Sequence, residues 1–321
     1  MRKIELLSPA GDLERLKYAV RYGADAVYIG GKQLSLRSMA SNFTLDDIKE
    51  GCDFAHAHNS KVYVTCNIVM HECDTNNLLD YLKSLESCGV DAVIASSPTI
   101  INLVKENTKM EAHVSTQQSV TNHKGIEFFS KLKADRVVLA RECSMDDIEK
   151  ICKNTKTEIE VFIEGAMCAS VSGRCMLSNI MTNRDANRGG CAQSCRWDYN
   201  LFQNSQKVSP GSFDFAMASR DLSAIEFIPR LIDAGVASLK IEGRMKSLHY
   251  IATVVNAYRR AIDAYLNNTK IDFDLIKELE KTSHRKFTTG FYYNSDQKTN
   301  TEDSAPKSNS TFVGLVKEEN K

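Results

Sequence analysis

The chain has 321 residues, with Lys+Arg and Asp+Glu both at 41 and a formal net charge of zero. That length suffices for one large α/β domain with a sizeable core. The balanced charge excludes a generally basic nucleic-acid coat, though not a local basic patch. There is no run of 18 or more apolar residues, so a helical membrane span is excluded. Ten cysteines without an apolar leader near Met1 lead us to expect a cytoplasmic protein with reduced thiols.

In chain order, short β-branched runs alternate with amphipathic stretches. Residues 4–7 read as the first strand; Ser8-Pro9-Ala10-Gly11 then turns the chain, and Asp12 caps a helix through Tyr22. Residues 26–30 form a second strand, and Thr44 opens the next helix with carboxylates in its first turn. Residues 61–67 are strand three, followed by a helix over 77–88 with Leu78, Leu79, Leu82 and Leu85 as its packing stripe. Strand four spans 92–96, with Pro98 starting the helix after it. Strands five, six and seven fall at 111–116, 136–141 and 158–164, and Ser144 caps the helix between the last two. Strand eight is 237–242, leading into a long helix over 248–266.

The phrases GADAVYIG, GVDAVIAS, KADRVVLA and GVASLKIE echo one another. Eight strand–helix units most simply close into a TIM-type (β/α)8 barrel with function at the C-terminal ends of the strands. A doubly wound open sheet is the competing fold. We assign residues 1–270 to the barrel, including a cysteine-rich loop at 165–209. Residues 271–294 form a helical extension, and 295–321 a polar linker with the start of a C-terminal β domain.

The loop after strand seven draws the functional reading. Cys168, Cys175, Cys191 and Cys195 have the spacing C-x6-C-x15-C-x3-C, among Gly165, Gly173, Gly189 and Gly190 and four arginines. Glycines beside cysteines let a loop wrap so that four thiolates converge. The wide middle gap is unlike a zinc ribbon, which presents two tight hairpins. An iron–sulfur cluster is the expected occupant, with zinc and a disulfide pair as alternatives. Cys52, Cys66, Cys73, Cys88, Cys143 and Cys152 are read as ordinary core cysteines. From Gly165 to Asn200, four arginines face Asp185 and Asp198, so this loop is locally positive.

Other chemistry-bearing groups fall at strand ends. His113, Lys240 and Glu242 are the candidate catalytic groups; each also has a structural reading, as a core histidine or as part of an ion pair. Arg37, Asn67, Gln117, Arg141, Arg220 and Arg244 are candidate substrate-binding groups. Arginine forks with amides beside them suit a dicarboxylate. His56 and His58, two apart on a helix, are expected at the surface. Neither an H-E-x-x-H nor a G-x-S-x-G motif is present.

Glu160, Phe162, Gly165, Ala166, Met167, Cys168, Gly173, Cys175 and Ser178 resemble the signature of the U32 (collagenase-like) peptidase family. The similarity runs on through LLSPAGDLERLKYAVRYGADAVYIGG, SLRSMASNFTLDDI, KVYVTCNI, HVSTQQSVTN, RDANRGGCAQSCRW and SLKIEGRMKS, about residues 4–265. It is nearest to the branch that hydroxylates tRNA. The resemblance implies a [4Fe–4S] cluster on the four cysteines and prephenate as co-substrate. It implies oxygen-independent formation of 5-hydroxyuridine at the wobble position of a tRNA anticodon loop, and association with itself or another U32 protein. A U32-type peptidase, and a hydroxylase of ribosomal RNA cytidine or of a quinone precursor, are the alternatives. One departure stands out: Glu164 occupies a position where relatives usually have His.

Overall fold

The structure is a computed structural model of the chain, and it describes residues 4–36, 42–208, 217–272, 274–293, 299–300, 305–308, 310–311 and 313–314. Eight strands line a closed barrel: β1 (Glu5–Pro9), β2 (Ala26–Gly30), β3 (Lys61–Cys66), β4 (Ala92–Ala95), β5 (Glu111–Val114), β6 (Arg136–Val138), β7 (Glu158–Ala166) and β8 (Ser238–Ile241). Each pairs in parallel with the next, and β8 pairs with both β7 and β1, which shuts the ring. The eight strand–helix units therefore form the expected TIM-type barrel.

Helices alternate with the strands: α1 (Leu13–Arg21), α2 (Leu45–Ala57), α3 (Leu78–Ser87), α4 (Pro98–Asn107), α5 (His123–Lys131) and α6 (Met145–Lys153). The short α7 (Leu177–Thr182) lies in the cysteine loop. After it come α8 (Ile228–Asp233), the long α9 (Leu248–Leu266) and α10 (Asp274–Glu280). Their starts are chemically marked. Asp12 accepts from the Arg15 amide, and Thr44 and Ser144 each form a capping box with the aspartate three residues on. Such caps are worth about 1 kcal/mol apiece. Among the described residues no helix is long and apolar enough to cross a membrane.

Period-2 alternation divides each strand between two environments. Leu6, Val27, Ile29, Val62, Val64, Val93 and Val114 face the helices in one continuous buried core. Leu7, Ala26, Tyr28, Tyr63, Ala92 and Ile94 form a second, smaller cluster inside the barrel. Leu78, Leu82 and Leu85 are buried, with Leu79 at the edge. Of the six cysteines read as core, Cys73 is corrected: it is exposed, in a 3-10 turn at Glu72–Thr75. The helical period of α3 begins only at Leu78, so nothing buries this turn.

Beyond the cysteine loop the chain returns to the barrel rim. Asp221–Ser223 pairs antiparallel with the end of β7, and Phe287–Thr288 adds in parallel outside it. Asp221 is fully buried, and its carboxylate takes the Arg285 guanidinium at 2.8 Å. Residues 299–300 pair with Ala218–Ser219. The C-terminal β start expected from the sequence falls mostly outside the described residues.

Candidate active site at the barrel mouth

The floor of the site is ionic. Alternation puts Glu158, Glu160 and Phe162 on the inner face of β7. Glu160 is fully buried; the Lys240 ammonium reaches its Oε1 at 2.8 Å and the Arg136 guanidinium its Oε2 at 3.2 Å. Arg136 also donates to Glu158 at 2.9 Å and to Glu5 at 3.2 Å, and Glu5 accepts from Tyr63 and Ser238 at 2.6 and 2.8 Å. Burial alone would raise the Glu160 pKa, but the two cations beside it bring it below its ordinary value. Glu160 is therefore a carboxylate locked between Lys240 and Arg136.

His113 lies in this same interior rather than at the mouth. It is fully buried against the edge of Tyr63, and its Nε2 meets Glu111 Oε2 at 3.0 Å. That hydrogen bond holds the Glu111 carboxyl down at about 2. The Nδ1 of His113 has no hydrogen-bond partner among the described residues. Lys240 is 5 % exposed, with its ammonium 4.5 Å from the Tyr28 ring centre and 5.5 Å from that of Phe162.

Nearer the strand ends, the expected substrate-binding residues form small groups. Arg141 stacks over Phe162 at 3.8 Å and lies close enough to Lys240 to perturb it. The Asn67 and Gln117 amides meet at 3.5 Å, and Ser115 hydrogen-bonds Gln117. The Arg244 guanidinium donates to Ser35 Oγ at 3.0 Å, and Ser35 touches Thr65 Oγ1 at 3.0 Å. Gly30 leaves room for that arginine, since a Cβ there would lie 1.8 Å from its Nη1. Arg220 is half-buried and follows Ser219, whose hydroxyl donates to the carbonyl of Met167. Arg37 lies outside the described residues. Glu242 is half-buried just past β8, its amide bonded to the Glu164 carbonyl at 2.8 Å. Gly165, at φ +107, permits this approach: a Cβ there would stand 2.5 Å from the Glu242 carbonyl oxygen.

Glu164 was not among the sequence candidates. It is 2 % exposed, and burial pushes its carboxyl up to about 8, against the pull of hydrogen bonds from Tyr258 and Ser223. The Tyr258 hydroxyl donates to it at 2.8 Å. Glu160 and Arg136 were likewise missed. Their signal was present: charged residues at alternate, inward positions of strands otherwise read as apolar.

The cysteine loop leaves β7 at the mouth and folds as short turns: Val171–Gly173, α7, Ala186–Arg188 and Ser194–Arg196, then a small hairpin of Phe202–Gln203 and Gln206–Lys207. Ser172, Asn183 and Gln193 adopt left-handed backbone conformations at its bends. Polar anchors fix it to the barrel. Ser172 donates its amide to Glu142 at 2.9 Å, Arg188 donates to Asp74 at 3.0 Å, and the Val69 amide donates to the Asn187 carbonyl at 2.9 Å. Arg188 holds the Asp74 carboxyl down at about 2.

Cys168 and Cys191 are exposed, Cys175 and Cys195 half-buried. Burial raises the Cys195 thiol, Arg196 opposes that, and Cys168, Cys191 and Cys175 all lie near enough to act on it. The four sulfurs thus share one neighbourhood. Among the described residues no three His, Cys, Asp or Glu side chains close on a single metal-sized point. Mononuclear zinc would draw four sulfurs to about 2.3 Å from one atom. A cubane takes each thiolate on a different iron, so its sulfurs stand further apart. A four-thiol donor set on a solvent-facing loop with a cationic neighbour fits such a cluster.

The profile of Peptidase family U32 matches residues 11–302. The chain belongs to this family. Among its U32 relatives, tRNA hydroxylation protein P1 of Bacillus subtilis (strain 168) is 47% identical over 98% of this chain and 77% of its own length. The tRNA hydroxylation protein P of Escherichia coli (strain K12) is 36% identical over 91% of this chain and 75% of its own. A solved U32 peptidase superposes with a TM-score of 0.50 at 11% identity, covering 76% of this chain and 94% of that one, which supports the barrel alone.

Proposed function

We propose that this U32 protein is a tRNA hydroxylase that forms 5-hydroxyuridine at the wobble position, without molecular oxygen and with prephenate as co-substrate. In this reading Cys168, Cys175, Cys191 and Cys195 hold a [4Fe–4S] cluster. The observation that carries the proposal is the 47% identity, across nearly the whole chain, to a protein named for tRNA hydroxylation. The four-thiol neighbourhood and the cations at the barrel mouth support it.

When bound, the cluster supplies Lewis-acid or electron-relay chemistry beside the mouth. The chain's own residues supply binding and orientation. Arg141 and Arg244, with Arg220 near the root of the loop, pair the two carboxylates of prephenate in bidentate forks. The Asn67–Gln117 amide pair fixes orientation. Lys240 presents a cation from the floor, held there by Glu160. His113, enclosed by Tyr63 and Glu111, supports that floor. The target pyrimidine enters flipped out of its stack.

Anaerobic purification should give brown protein with about four iron and four acid-labile sulfides per chain. The paired substitution Cys168→Ala with Cys195→Ala should abolish both the colour and the activity. Nucleosides of tRNA from a deletion strain should lack 5-hydroxyuridine and its derivatives. Stoichiometric zinc in place of iron, or unchanged nucleosides in a strain with no second U32 protein, defeats the proposal. Gelatin cleavage that survives the paired substitution would favour a peptidase.

A further inference from the structure

Large apolar side chains on a soluble surface are normally scattered singly. Here they collect on the cysteine loop. Val171, Met176, Ile180 and Phe202 are 64, 62, 76 and 64 % exposed, and Trp197 is 41 % exposed. Met176, which caps the start of α7, and Ile180 within it lie one helical turn apart. The turn at Ser194–Arg196, which leads directly into Trp197, is tied to α7 by the Ala192 amide donating to Ser178 Oγ at 3.1 Å. Arg174 and Arg184 flank the helix; both are exposed, and neither has an acidic partner among the described residues.

We propose that this face of the loop is the docking surface for an unpaired RNA loop, with base faces on the apolar and aromatic side chains and phosphates on Arg174 and Arg184. The inference rests on the tRNA reading and locates the RNA within it. Charge complementarity favours RNA, because two exposed arginines without acidic partners among the described residues flank α7 in the chain, one on each side of Met176 and Ile180. An RNA loop offers both parts of the match: splayed bases stack on aromatic rings and its backbone is anionic. A duplex hides its base faces and satisfies only the charge. Position also favours it, since Trp197 is two residues from Cys195, so RNA held there brings a base to the cysteines.

Trp197 is the sole tryptophan of the chain, so its emission reports on this face alone. Anaerobically purified full-length protein would be titrated with a uridine-containing hairpin RNA and with a blunt duplex of equal length, following fluorescence and, in parallel, anisotropy of labelled RNA. The hairpin should quench Trp197 with the same midpoint as the anisotropy change, and the duplex should not quench it. Replacing both arginines (Arg174→Ala, Arg184→Ala) should weaken hairpin binding at least tenfold and flatten the log–log salt slope by about 1.4, at roughly 0.7 per phosphate contact. Ile180→Ser should weaken it severalfold. Hairpin binding that leaves Trp197 emission unchanged, with the double variant as tight as wild type, overturns the inference while the tRNA reading stands. Failure of the wild-type protein to bind any RNA overturns both. If Ile180→Ser only converts a dimer to a monomer in sedimentation, the face is a contact between copies of this chain, and the inference falls.

Discussion

Inside the barrel, Glu160, Arg136 and Lys240 are each at most 5 % exposed, and each charge is met by another at 2.8–3.2 Å. Between Met167 and Val208 the pattern reverses. Two cysteines stand in solvent, Ile180 is 76 % exposed, and order comes from short turns tied down at a few polar anchors. The interior satisfies its own polar groups. The loop instead presents sulfur, cations and apolar surface outward, toward something that is not part of the chain. The same residue types, charges and cysteines, are thus buried and paired in one region and exposed or half-buried in the other.

That contrast can be broken from the interior side first. Glu160→Gln would leave Lys240 without its counter-charge in a dry interior, and such losses typically cost about 3–5 kcal/mol. Urea unfolding at neutral pH should show a loss of that size, and a loss under about 1 kcal/mol would mean that the network is not holding the barrel. The junction between the regions gives the next effect. Glu164 holds its proton up to about 8 in the folded chain, against an ordinary 4.5. Between those values the folded state binds more protons than the unfolded one. The contribution of Glu164 to stability is therefore full below pH 4.5 and declines as pH rises toward 8, by at most about 1.4 kcal/mol per unit. Glu164→Gln should flatten that decline in denaturation series run across the window; an unchanged slope would refute the assignment. The smallest effect belongs to the loop anchors. Arg188→Ala should lower global stability by less than about 1 kcal/mol. It should nonetheless raise hydrogen exchange roughly tenfold around Val69, Asp74 and Asn187, with the barrel strands unaffected.

The barrel was legible because its signals are local and repeated. Alternation at each strand, caps at Asp12, Thr44 and Ser144, and four echoing phrases all pointed the same way. The cysteine quartet was equally visible, since four thiols among glycines do not resemble core packing. The electrostatics were not. Arg136 read as a strand residue of no special role, and Glu160 and Glu164 were noted only through the family resemblance, because what their charges do depends on which side chains meet across the barrel. Lys240 and His113 were noticed with both a catalytic and a structural reading, and the structure places both in the buried interior, which a strand's end in sequence does not tell. Cys73 failed for the opposite reason: a turn interrupts the periodicity that would have buried it.

The pairing of Ala166 with Asp221 carries a consequence for how the molecule can change. The chain leaves β7 and returns beside it, so the described residues between Met167 and Arg220 hang from a paired stem. The entropy of closing such a stem grows only slowly with the length it encloses. The intervening cassette can therefore lengthen, shorten or be exchanged while the eight-stranded frame keeps its register, and substrate preference can diverge without refolding the scaffold.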